Sequence, residues 1–280
     1  MQFITKEGAL KATISSWAIL LKRVLLPGLV FLMNFTPVPV LAVTRDVSLL
    51  IPDPLDSKGE PAPIPQDRKR MLDYIAREAD MHFELQRCPW KRILLLAEHG
   101  EGLVFGISKT GDRERMFHFS RPLYANYVWL VTRRDARFDY KSIADLKGRS
   151  VGIVAGAHYG DYFDEQKGKL FKVESDTNSV AARFNKLANR RMDVMVIQDP
   201  GSDARDLEER INRHFSKQQI AEGQPLVEFS VLAKPLLVDD IHFAIRADKD
   251  DGLIQKIDVA IAKGKKQGIL ALDLPKAGKQ

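Results

Sequence analysis

The chain has 280 residues, 45% hydrophobic and 29% charged, which excludes a disordered protein and allows one large domain or two ordinary lobes. Its formal charge of +6 is no nucleic-acid signal, because Lys6, Lys11, Lys22 and Arg23 against Glu7 put half of it in the first 42 residues. Cys88 is the single cysteine, and one buried cysteine suits an oxidising compartment.

Lys22 and Arg23 precede "VLLPGLVFLMNFTPVPVLA", an apolar run broken by Pro27 and Asn34 and ending on Val40-Leu41-Ala42. A positive flank, a short apolar core and a small-residue end predict a secretory signal over 1–42, cut after Ala42. The core before Asn34 is too short for a spanning helix. Val43 follows the cut where a lipid anchor needs cysteine. The expectation is a soluble periplasmic protein, not a lipoprotein, with no membrane insertion after cleavage.

The remaining chain alternates strands and helices. "VSLLIP" (47–52) reads as a buried strand, and Met71, Leu72, Ile75 and Ala79 follow at helical spacing. "HFELQRCP" predicts a second strand, "WKRILLLAEHGEG" a helix stopped by glycines, and "LVFGIS" a third strand. After "FSRPLYAN" comes the strand "YVWLVTRR". A second unit opens with "SIADLKGRSVGIVAG", a short turn and a strand over Ser150–Val154. "SVAARFNKLANRR" predicts a helix, "MDVMVIQD" a buried strand, and 203–217 a charged helix. "HFAIRAD" and an amphipathic helix with Ile254, Ile257 and Ile261 on one face close the chain. This order predicts an α/β fold of two units, the second inserted in the first, with a ligand cleft between them.

One stretch carries a candidate site. "GISKTGDRERMFHFSRP" leaves a strand and meets Arg113 a few residues later. Ligands of α/β sheets bind beyond the carboxyl ends of the strands. There a guanidinium can grip a carboxylate through two parallel hydrogen bonds and keeps its charge. Gly106 allows close approach to the backbone, and Ser108 adds a hydroxyl and an N–H. Catalytic and metal motifs are absent from the sequence: the six histidines are scattered and no nucleophile elbow or phosphate-binding loop occurs, so no cofactor is expected.

Four blocks in order resemble the periplasmic solute-binding proteins, family 3, that serve ABC transporters for polar amino acids. They are "MLDYIAREADMHFELQRCPWKRILLLAEHGEG", "GISKTGDRERMFHFSRPLY", "SIADLKGRSVGIVAG" and "RRMDVMVIQD". The resemblance runs from about Arg68 to the final helix. It implies a two-lobed, type-II-like fold, each lobe a mainly parallel sheet flanked by helices. The expected lobes are 43–131 with 242–280, and 132–241, with hinges near 130–133 and 238–243. Arg113 would clamp the ligand carboxylate, beside Gly106 and Ser108, and Trp90 would stack on the ligand. From the second lobe, the N–H groups of Gly156, Ala157, His158 and Tyr159 would face an anion at a helix start, and Asp199 would accept an ammonium. Ala157 stands where the family usually has a hydroxyl. The resemblance implies a monomer that captures a small carboxylate-bearing solute by hinge closure and hands it to an ABC transporter permease. Two further readings stay open: an enzyme of the same fold acting on a carboxylate, with His158 or Glu101 as acid or base, and a sensing module for a separate membrane partner.

Overall fold

The structure, a computed structural model, describes residues 44–55, 60–176, 179–201 and 203–270. The signal segment expected over 1–42 lies outside the described residues. The chain begins with β1 (Arg45–Pro52), α1 (Gln66–Glu78), β2 (Met81–Cys88), α2 (Trp90–Glu98) and β3 (Leu103–Ile107). A short helix α3 (Gly111–Met116) and strand β4 (Phe117–Phe119) lead into the long strand β5 (Tyr124–Arg133). Then follow β6 (Ser150–Val154), α4 (Asp161–Gln166), β7 (Lys172–Asp176), α5 (Val180–Ala188), β8 (Val194–Asp199) and α6 (Ala204–Ala221). Strands β9 (Phe229–Val231) and β10 (Leu237–Arg246) and helix α7 (Leu253–Lys266) complete the order.

The strands lie in the order β2-β1-β3-β10-β5-β8-β6-β7, with β4 added on β10 and β9 on β5. The pairs β1–β2, β1–β3, β6–β7 and β6–β8 are parallel, and the strands that join the two sets are antiparallel. β1 lies between β2 and β3, and Leu49 and Ile51 pack with α1 and α7 on one face while Leu50 packs with α2 on the other, which is why the three form an unbroken apolar run: both faces are covered. Pro65 and Pro89 each precede a helix, where a missing N–H costs nothing and φ is already suitable.

The core is divided. One cluster, around Leu49, Ile75, Phe105, Phe243 and Ile257, lies under α1 and α7; another, around Leu50, Ile93, Val104 and Ile107, lies under α2. Two more flank the second set of strands, around Leu130, Phe163 and Val194, and around Trp129, Phe184 and Phe215. Leu123 belongs to the first group and Val128 to the second, so the chain crosses between them. It returns along β10, where Leu237 packs with the second group and Phe243 with the first. β10 pairs with β5 through residues 237–241 and with β3 from His242 onward, and its register slips between His242 and Phe243. Ser120 ties this point down: its hydroxyl accepts from Phe243 N at 2.9 Å, and its carbonyl takes His242 Nδ1–H at 2.6 Å.

Candidate functional site

The opposing end of β3 builds the first wall of a cleft. Ile107 pairs with His242 and Phe105 with Phe243, so Gly106 is an extra residue in β3 with no partner on β10. It takes φ +91°, a conformation suited to glycine, and a bulge of this kind re-aims the chain at a strand end. The chain then passes Ser108 and reaches Thr110, which caps α3: its Oγ1 accepts from Arg113 N at 3.2 Å. The Arg113 guanidinium folds back, and Nη1 donates to the Ser108 carbonyl at 3.1 Å. Strand end, cap and carbonyl together hold one arginine.

Arg113 lines a cavity of about 320 Å³. Trp90, Gly106 and Ser108 share that wall, and Ala157, His158 and Tyr159 come to it from the loop after β6. Arg68 at the start of α1, Arg183 of α5 and Gln198 of β8 also reach it, although none of them is among the residues expected from sequence. Burial pulls the Arg113 pKa below its ordinary value, opposed by Asp239, then Asp164, then Glu98, none of them within ion-pair distance among the described residues. Trp90 is buried, and its Nε1 meets no acceptor among the described residues.

Three expectations need revision. Asp199 does not reach the cavity: Arg210 holds its carboxylate bidentately at 2.7 and 3.0 Å, and Gly201 N donates to it at 2.8 Å. Strand alternation explains this, since Met195 and Ile197 face the core beneath α6 and Asp199 follows them. Gly156 is not on the cavity wall either. It packs against the start of α2, where an added Cβ would lie 3.5 Å from Lys91 Cα, so the two sides of the cleft already touch there. The loop N–H groups are not all turned to a ligand: Ala157 N donates to Val154 O at 3.1 Å and Tyr159 N to Asp164 Oδ2 at 3.4 Å. α4 begins only at Asp161, and Asp164 of that helix also takes His158 Nδ1 at 2.6 Å. Tyr159 is a core ring as much as a lining one: its hydroxyl accepts from Val154 N at 3.0 Å, and burial raises its pKa. Glu101 is exposed and lies off the cavity wall.

A larger groove of about 750 Å³ runs beside α6. Its wall carries acids beside its arginines, Asp203, Glu208 and Glu209 with Arg134, Arg137 and Arg205, and Arg134 pairs with Glu208 at 3.0 Å and Glu228 at 2.8 Å. The smaller cavity has no such balance, which makes it the candidate site.

A sheet of this order, with two strands joining its sets and a cleft at their carboxyl ends, is the mixed α/β fold of the periplasmic binding proteins. The arginine-bound amino acid ABC transporter substrate-binding protein AbpA of Streptococcus pneumoniae superimposes with a TM-score of 0.60 at 21% identity, covering 81% of this chain and 91% of that one. In sequence, the chain is similar to ABC transporter arginine-binding protein 1 of Escherichia coli, at 26% identity over 161 residues, or 56% of this chain. The chain spans 64% of that relative's length. It is also similar to the probable amino-acid-binding protein YxeM of Bacillus subtilis, at 25% identity over 208 residues, covering 71% of this chain and 70% of that protein. No protein-family model matches. By their names these relatives are amino-acid-binding proteins, and those of E. coli and S. pneumoniae belong to ABC transporters.

Proposed function

We propose that this chain is a periplasmic solute-binding protein that captures a small carboxylate-bearing solute and delivers it to an ABC transporter permease. The observation that carries the reading is Arg113. Thr110 and Ser108 fix it over a cavity, burial disfavours its charge, and no carboxylate of the described residues pairs with it. A guanidinium in that state is suited to an incoming acid, with which it forms two parallel charge-assisted hydrogen bonds. Ser108, Gly106 and Trp90 border the same space. In this proposal the lobes meet at the two crossings, between residues 123 and 128 and along 237–243, and a bound solute closes them as a hinge. Closure expels water, and the ion pair strengthens as the local dielectric falls. The E. coli and B. subtilis relatives, named as amino-acid binders, support the solute class. The signal over 1–42 and the monomeric state are part of the same proposal.

The test is thermal unfolding with a panel of amino acids and organic acids. A ligand at 100 times its dissociation constant adds about 2.7 kcal/mol, which raises the Tm of a chain this size by about 5–10 °C. Arg113→Ala removes that shift and leaves the unliganded protein folded. An Arg113→Ala protein that responds to ligand as well as the parent would overturn the assignment.

A further inference from the structure

The cavity wall is unbalanced in charge. Arg68 of α1, Arg113 of α3 and Arg183 of α5 all line it, from three separate elements, and His158 stands beside them. Among the described residues the wall contains no carboxylate. Arg113 and Arg68 have no ion-pair partner within 4.0 Å among the described residues, and Arg183 donates Nη1 to the Val196 carbonyl at 2.8 Å. Asp164 is occupied with His158 and Lys167, behind the loop.

Arg68 is the informative member. It sits in the first turn of α1, where the helix dipole disfavours a cation. Its side chain lies over the Phe105 ring, 5.8 Å from the centroid, which keeps the guanidinium at the cavity. It also lines a smaller adjoining chamber of about 170 Å³, which shares Gly106 and Gln198 with the main cavity. Helix stability therefore gives no reason for a cation here, whereas an anion in the cavity does.

The geometry points to a ligand with two carboxylate groups, one held by Arg113 and the second by Arg68, and not to a cationic amino acid. The inference rests on the binding-protein reading above and narrows its substrate class. One guanidinium suffices for the single carboxylate common to all amino acids. A second, facing the same space from another helix, suits a second acid. A ligand with a cationic side chain would bring its charge beside Arg68 and Arg113, with no carboxylate on the cavity wall among the described residues. Acidic amino acids and plain dicarboxylates share the required chemistry.

Isothermal titration of the full chain with L-glutamate, glutarate, L-glutamine and L-arginine tests this. Glutamate or glutarate binds at least tenfold more tightly than glutamine, and arginine binds weakest. Arg68→Gln weakens the two-carboxylate probes by about tenfold or more, the loss expected for one charge-assisted contact, and so narrows their advantage over glutamine. Glutamate ahead of glutarate marks an acidic amino acid, and the reverse order marks a dicarboxylate; both support the inference. Arginine or glutamine binding as tightly as glutamate overturns it, as does an Arg68→Gln protein with unchanged preference. Monocarboxylate binding that still depends on Arg113 would then leave the parent reading standing. If no carboxylate probe binds at all, both fall.

Discussion

Gly106 separates backbone conformation from steric space. Its φ of +91° disfavours any residue with a Cβ, yet a Cβ built there meets nothing within 4 Å, because it projects into open space beside the cavity. Gly106→Ala therefore costs about 1–2 kcal/mol, all of it conformational, and the Tm falls by about 2–8 °C. Gly106→Asn costs less, since asparagine adopts positive φ more readily, even though its side chain is larger. Urea unfolding of the ligand-free protein measures both. Asparagine proving worse than alanine would mean that crowding, not φ, governs the position. An alanine protein as stable as the parent would mean that the bulge readily relaxes. Either result refutes the reasoning.

Asp199→Asn leaves the partly exposed Arg210 without its buried partner and lowers stability by about 2–3 kcal/mol, less than a fully buried pair would lose. Calorimetric titration of that variant shows unchanged ligand affinity, because the carboxylate faces α6 and not the cavity. Burial, opposed by the contact to Ser120, holds His242 below its ordinary pKa of 6.5. The unfolded chain then takes up the proton first, so this contribution is complete above pH 6.5 and is lost as pH falls through the folded-state value. Tm measured against pH shows a shallower acid-side decline in His242→Gln than in the parent. Gly264 of α7 lies so close to Tyr74 and Leu270 that an added Cβ would come within 2.6–2.8 Å of them. Gly264→Ala thus lowers the unfolding free energy, measured by urea titration, by a net of about 1 kcal/mol, overpacking outweighing the gain in helix propensity.

Much of this fold is legible in the order of apolar runs. The strand Ser150–Val154 is found where the sequence places it, because Gly148 turns the chain just before it and the run is apolar. The helices α3 and α4, six residues each, are too short to show a period. β7 escapes notice because "KVESD" is polar and lies at the sheet edge, and β9 has only three residues. β5 begins at Tyr124, earlier than its apolar run. In the site, Arg113 is legible because it follows a strand end by a fixed, capped turn. Arg68 hides in "QDRKR", which reads as the solvated face of a helix, and Arg183 in "VAARFN"; only the packing of three elements brings them together. Asp199 misleads because an acid at a strand end looks available, and its partner Arg210 is eleven residues away on the next helix.

The Thr110 hydroxyl bonds the main-chain N–H of the same residue whose side chain guards the cavity. Fraying of that single turn and misplacement of the charge are consequently one event. A valine at 110 would damage folding and recognition together, so this threonine answers to two demands through one oxygen atom.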